Sequence, residues 1–359
     1  MTEAEMTTTE ERETTPPMHP GVRIGTWSFV WRPWAVLVTV VMAASTFLVL
    51  CLSIGIGDFT IALPQVVRTI FGQGERVDTF VIMDLRMPRA LVGLIAGVAL
   101  GISGALTQSV ARNPLASPDV LGITSGAGVG AVLVVTTSGG AAAAGIPVAA
   151  LVGGLATGLL VYFLAWRRGI DGFRLILIGV SVSAVMQAVT TWLLVTADIR
   201  DVGRAQAWLV GSLDARSWTQ VWTTLWVATA LVLVVLCVAF HLGPMHFGDD
   251  VAAGLGVRFS LVRAVLLLCS VLLAGVAVSA AGPVPFVALV APQVTMRLLR
   301  SPTPPLVASG LFGALLLMGS DLIARTVLPN SLPVGIVTAA IGGPFLVYLL
   351  VRANLKRAA

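Results

Sequence analysis

The stretch ARNPLASPDVLGITSGAGVG, residues 111–130, interrupts a chain otherwise written in alanine, valine and leucine, and it holds two prolines, an asparagine, an aspartate and four glycines. Asn113 precedes Pro114, whose ring pushes it out of the helical region, so a helix arriving from the N-terminal side has to stop there. Ser117, Pro118 and Asp119 carry the signals of a new helix: a favoured N-cap, a ring that fits the first turn, and a carboxylate that complements the positive end of the helix dipole. The stretch reads as a programmed helix, loop, helix turn. At membrane depth, exposed backbone of this kind is tolerated only where protein or a water cavity covers it. Transport paths share that property; an ordinary interfacial loop is the other reading of the same residues.

Composition says why the interruption matters. Of the 359 residues 57% are hydrophobic and 11% charged, with a mean hydropathy of +0.96, whereas soluble domains carry roughly 25% charged residues. Uncharged windows over 34–55, 90–110 and 217–240 each reach the ~20 residues that cross a hydrocarbon core. The chain is expected to be an all-α integral membrane protein. The acidic, Thr-rich segment that opens it lacks the basic leader of a cleavable signal, so residues 1–33 are expected to form a disordered cytoplasmic tail. The formal charge of +5 does not point to nucleic acid, because the basic residues gather at the ends of apolar windows, where membrane anchoring puts them.

Ten spans are expected, at 34–55, 90–110, 117–137, 145–165, 174–196, 218–240, 263–281, 284–298, 305–324 and 333–351; the eighth is short for an upright helix. An even number places both termini on one side. Arg12, Arg23, Arg32, Arg112, Arg167, Arg168, Arg174, Arg258, Arg263, Arg297, Arg300, Arg352, Lys356 and Arg357 fall on that side, against Arg68, Arg76, Arg86, Arg89, Arg200, Arg204, Arg216 and Arg325 opposite. By the positive-inside rule both ends are cytoplasmic, which leaves a membrane domain over 34–352, a cytoplasmic loop at 241–263 and a short tail at 353–359. Gly93, Gly97 and Gly101, and again Gly122, Gly126 and Gly130, repeat at intervals of four, so each set puts a glycine stripe on one helix face, where a second backbone can approach.

Charged and nucleophilic side chains are few. Asp321 is the only acid deep in a late span, which makes it a functional suspect, but Arg325 lies four residues on and an i,i+4 pair accounts for it. Cys51, Cys237 and Cys269 lie in apolar runs and read as buried small side chains. His241 and His246 flank Pro244 with no third ligand nearby, so a metal site is not expected. The chain has one lysine, Lys356, after Leu355, and so lacks the Gly-Lys-Ser/Thr loop that cradles nucleotide phosphates. Any ATP-driven work needs a partner. A carrier coupled to an ion gradient would place charge near the midplane, where this chain has almost none, and no nucleophile elbow or zinc motif supports an enzyme.

Several stretches, in order, resemble the FecCD permeases, membrane subunits of ABC importers for iron-siderophore complexes, haem and vitamin B12. They are RMPR (86–89), GVALGISGALTQSVARNPLASPDVLGITSGAGVG (97–130), WLVGSLDARSW (208–218), GDDVAAGLGV (248–257), AGPVPFVALVAPQVTMRLL (281–299), GSDLIAR (319–325) and LPVGIVTAAIGGPFLVYLL (332–350). The likeness covers about residues 35–352 and is greatest to permeases for ferric enterobactin, which pair with a different, homologous subunit; NPLASPDVLG, LAWRRGIDGFRLILIGV and NSLPVG carry that closer match. It implies the type II importer permease fold in the inner membrane. No cofactor is implied for this chain, since ATP is bound by a partner ATPase dimer. A second permease subunit, a periplasmic or lipid-anchored binding protein and a ferric siderophore complete the expected set, with haem or vitamin B12 as the alternative cargo. By the same resemblance Arg86, Arg89 and Arg325 receive acidic groups of the docked binding protein; without the resemblance, snorkelling anchors are the alternative. Gly248, Asp249, Asp250, Gly254, Leu255 and Gly256 would rest in a cleft of the ATPase. Gln108, Asn113, Pro114, Ser117, Pro118 and Asp119 would lie at the helix break along the path. Gln293 stands where many relatives carry histidine, so no imidazole role transfers there.

Overall fold

The computed structural model describes residues 21–24, 27–30, 32–57, 61–138, 145–166, 172–242, 259–327 and 332–358. Where a disordered tail is expected up to residue 33, β1 (Gly21–Ile24) and β2 (Trp27–Val30) pair antiparallel, with Gly21 opposite Val30 and Ile24 opposite Trp27. Branched and aromatic side chains favour such a ladder. The chain then enters α1 (Pro33–Gly55) with a proline in its first turn, where a missing N–H costs nothing.

Every other element among the described residues is helical. Short α2 (Leu63–Ile70) and α3 (Arg76–Thr79) lead through a π-helical stretch, Phe80–Arg86, into α4 (Met87–Ala111). There follow α5 (Ile123–Ser138), α6 (Ile146–Ala165), α7 (Gly172–Thr196), α8 (Ile199–Leu209), α9 (Trp218–Val238), α10 (Phe259–Ala281), α11 (Val287–Leu298), α12 (Leu306–Thr326) and α13 (Val334–Ala358). Among the described residues eight helices are long and apolar enough to cross a membrane, and α5 and α11 are shorter apolar ones. The eight stand at eight of the ten expected spans, and the two shorter helices stand at the third and the eighth. Several boundaries move: α10 starts at Phe259, ahead of the expected 263, and α13 runs on to Ala358 through most of the expected tail at 353–359; two other shifts bear on the site. The second crossing extends outward through the π-helical stretch to Arg76. The third begins at Ile123 rather than Ser117, because the capping signals start only one turn: Ser117 Oγ accepts the Val120 N–H, Ser117 O accepts that of Leu121, and Gly122 then takes φ +79° before α5 begins. That left-handed value suits glycine.

The bundle is built around α4. Some 83% of the apolar window of this crossing is buried, against 11% for α1, which shows its Leu and Val side chains to the surroundings. The glycine stripes explain the difference. A Cβ on Gly97 would lie 2.7 Å from Gly313 O, and one on Gly101 would lie 2.0 Å from Ser309 O, so α4 and α12 touch backbone to backbone. In the second stripe, Gly126 and Gly130 face α6, where added Cβ atoms would lie 2.6 Å from Gly153 O and 2.1 Å from Ala149 O. Buried hydroxyls join further pairs of helices: Ser103 Oγ of α4 donates to Ser270 O of α10 at 2.6 Å, and Thr295 Oγ1 of α11 and Ser309 Oγ of α12 share a 3.0 Å bond. In a medium without water such bonds and close packing hold helices together.

A 12-residue helix such as α11 spans only about 18 Å, and the chain reaches it by re-entering as irregular backbone. Gly282 has φ +72° and Phe286 φ +67°. This segment stacks on the loop after α8: Ser212 N–H donates to Ala281 O at 2.9 Å, and a Cβ on Gly211 would lie 2.1 Å from Pro283 O. Neighbouring protein covers the non-helical backbone, as the bilayer demands.

Candidate docking rim and translocation groove

On the face away from the termini, two of the three arginines singled out by sequence, Arg86 and Arg325, converge on the end of α1. A helix leaves its last carbonyls without intrahelical partners, and α1 has no basic residue in its last turn. Other helices supply the cations. Arg86 Nη1 donates to Ile54 O and Gly55 O, both at 3.0 Å; Arg325 donates to Ser53 O at 2.6 Å, Ser53 Oγ at 2.9 Å and Ile56 O at 2.7 Å. Positive charge at a helix C-terminus also opposes the dipole. Arg86 is only 8% exposed. Arg86 and Arg89 lie three residues apart, a spacing that puts side chains on one face of a regular helix, yet they point apart: the last residue of the π-helical stretch aims at α1, and Arg89, in regular helix, aims at α12.

There Arg89 grips Asp321 with Nε at 3.2 and 3.1 Å from the two oxygens and Nη2 at 2.7 Å from Oδ1. Asp321 is 2% exposed, and Arg325 Nε lies 3.5 Å from its Oδ2. The expected i,i+4 pair is present, but the tighter partner comes from α4. Arg89 also bonds Asp214, whose side chain is 62% exposed against 21% for Arg89. Next to it, Arg216 Nη2 donates to Ser212 O at 2.6 Å; burial pushes this guanidinium below its ordinary value while Asp214 pulls it up. The ion pairing of Arg89 thus runs from the sealed carboxylate of Asp321 out to the exposed one of Asp214.

Toward the terminal face the helix break opens on a groove of about 500 Å³. Ile176 and Val180 of α7 form one wall, Leu346 and Leu350 of α13 the other, and the back is made where the two irregular segments meet, at Ser117, Asp119 and Phe286. Asp119 accepts a short hydrogen bond from Thr124 Oγ1 and faces the backbone N–H of Phe286. Asn113 closes the turn locally, its Oδ1 accepting the Leu115 N–H at 2.9 Å; Pro114 is exposed and Pro118 buried. Gln108 does not reach the groove. It is 3% exposed, donating to Leu289 O at 3.1 Å and accepting from Gln293 Nε2 at 2.6 Å. The two amides satisfy each other in the core, so Gln293 serves α4–α11 packing. Gly248, Asp249, Asp250, Gly254, Leu255 and Gly256 lie outside the described residues.

Crossing helices wound about a glycine-striped centre, an apolar groove at a helix break and the lack of a nucleotide-binding loop define the membrane-spanning subunit of a transporter. Residues 45–352 match the FecCD transport family, and the chain belongs to that family. It is 39% identical to the ferric enterobactin transport system permease protein FepG of Escherichia coli (strain K12), over 84% of this chain and 91% of that one. It is 38% identical to the probable siderophore transport system permease protein YfhA of Bacillus subtilis (strain 168), over 93% and 99%. Among solved structures it superposes on a transporter assigned to the metal-chelate ABC type in an inward-facing conformation, with a TM-score of 0.78 and 26% identity, covering 88% of this chain and 99% of the other.

Proposed function

We propose that this chain is a permease subunit of an ATP-driven importer that passes a ferric siderophore across the inner membrane. The groove between α7 and α13 carries the reading. Its walls are apolar, its one carboxylate is already engaged, and it opens on exposed faces of both helices, which suits a bulky cargo that must slide past and not bind tightly. The resemblance to siderophore permeases along nearly the whole chain supports the cargo class. The terminal face is cytoplasmic on the arginine asymmetry. Residues 248–256 engage an ATPase dimer there, since the chain has no phosphate loop of its own. A second permease subunit covers α7 and α13. A binding protein docks opposite, offering acidic groups to Arg89; complementary charge at such a rim steers encounter and sets register.

The test fills the groove. V180W/L346W places two indoles between α7 and α13, and in vesicles containing the assembled importer and its binding protein, uptake of radiolabelled ferric siderophore should fall by more than about tenfold, or roughly 1.4 kcal/mol in the transport barrier. Co-purification of the ATPase should be unchanged. Undiminished uptake by the intact plugged complex removes the groove from the path.

A further inference from the structure

On the terminal face α1 and the α11–α12 connection enclose a second cavity, of about 450 Å³. Arg32, Pro33 and Trp34 form one side and Leu299, Arg300 and Pro302 the other. Trp34 Nε1 donates to Leu298 O at 2.9 Å, and the Arg300 guanidinium lies over the indole, 5.7 Å from its centre. Arg297 nearby stands over Phe345 and Tyr348, at 5.6 and 5.7 Å, and Arg352 Nη1 donates to Tyr348 Oη at 2.9 Å. Four guanidinia are thus gathered from three crossings. Residues 14–57, 251–320 and 322–359 contain no aspartate or glutamate, so the segments that build this corner supply no counter-charge.

We propose that this cavity binds the headgroup of an anionic phospholipid of the inner leaflet, its phosphate held between Arg32 and Arg300. Guanidinium forks match phosphate oxygens in pairs, and basic pockets between helices on the cytoplasmic side suit such headgroups. The position fits, because Trp34 and Tyr348 are residues of the kind that sit at headgroup level. The acyl chains have a surface to follow in exposed Leu37, Val40 and Val41 of α1. A soluble phosphate would leave that apolar flank bare, which favours the lipid. The site depends on the chain's placement in the bilayer and not on its cargo.

The experiment uses the full chain in nanodiscs of phosphatidylcholine with a minor fraction of phosphatidylglycerol, and counts co-retained lipid by native mass spectrometry. Phosphatidylglycerol should be enriched on the unaltered chain. R32Q/R300Q should lower its relative affinity roughly 30-fold and R300Q alone roughly fivefold, from the usual worth of one basic residue at an anionic surface. R112Q/R263Q, the same charge change elsewhere on that face, should leave the enrichment in place, as should R32K/R300K in large part. Should the double glutamine variant fail to fold, R300Q decides alone. Equal retention of the two lipids, enrichment that survives R300Q, or a loss equalled by R112Q/R263Q overturns the proposal. Displacement of phosphatidylglycerol by glycerol 1-phosphate at equal concentration also overturns it, assigning the cavity to a small soluble anion.

Discussion

The two rims of the bundle use the same side chain in opposite ways. At the outer rim the guanidinia of Arg86, Arg89 and Arg325 end on carbonyls and carboxylates of the chain itself. At the terminal rim Arg297 and Arg300 lie on aromatic rings, and Arg32 and Arg300 face an open cavity. Burial separates them. A charge taken out of water needs a partner on the spot, and Arg86 and Asp321 are nearly sealed; at the other end headgroups and water can do the work. Arginine at a span end is therefore not one signal. The outer set clasps three helices together, and the inner set, among the described residues, meets aromatic rings and not carboxylates.

The strongest way to break this contrast is to remove the helix on which both rims hang. A Cβ on Gly104 would lie 1.7 Å from Ala288 O and 2.6 Å from Ala288 C, both backbone atoms of α11, whereas on Gly93 it would meet only side chains, Leu213 Cδ1 at 3.0 Å and Met318 Cγ at 3.4 Å. Gly104→Val should cost more than about 3 kcal/mol, since overpacking against backbone cannot relax, and should abolish the monodisperse peak in size exclusion. Gly93→Ala should be tolerated. Similar behaviour of the two variants would refute the seam.

Asp321→Ala comes next. It removes the sealed carboxylate that Arg89 and Arg325 share, and breaking a buried ion pair costs about 3 kcal/mol, to be read by unfolding in mild detergent. Arg297→Gln at the other rim loses only a partly exposed cation–π contact, about 1 kcal/mol or less. Equal losses would erase the distinction between a clasp and an open site.

Much of this frame is legible in the chain. Ten apolar helices follow from ten apolar runs, eight of them long enough to cross a membrane, and the stop at Asn113 follows from the proline after it. The start of α5 does not, because Ser117, Pro118 and Asp119 are locally sound helix signals, and the turn at Gly122 is set by packing on Thr157 and Ser183. The Asp321–Arg325 pair is readable at i,i+4. The Arg89–Asp321 pair had a signal too: Arg89, Gly93, Gly97 and Gly101 repeat every fourth residue, so the face that meets α12 through glycine reaches Arg89 one turn earlier. Capping of α1 by Arg86 from another helix leaves no mark in local sequence, and neither does the mutual bond of Gln108 and Gln293, which turns an expected path residue into a core one.

The smallest effect tests the point where the clasp touches water. Arg89 is shared between sealed Asp321 and exposed Asp214, and exposed pairs are worth about 0.5 kcal/mol or less. Asp214→Asn should therefore leave the unfolding midpoint almost unchanged, far from the loss at Asp321. Its effect should fall on encounter. With one negative charge gone the rim becomes more positive, and an acidic docking lobe should associate roughly twofold faster at low ionic strength, the gain vanishing as salt screens the rim. Stopped-flow association of the binding protein with the reconstituted importer reads this directly. A large drop in stability would make Asp214 part of the clasp, and slower association would mean that it, and not Arg89, is what the partner meets.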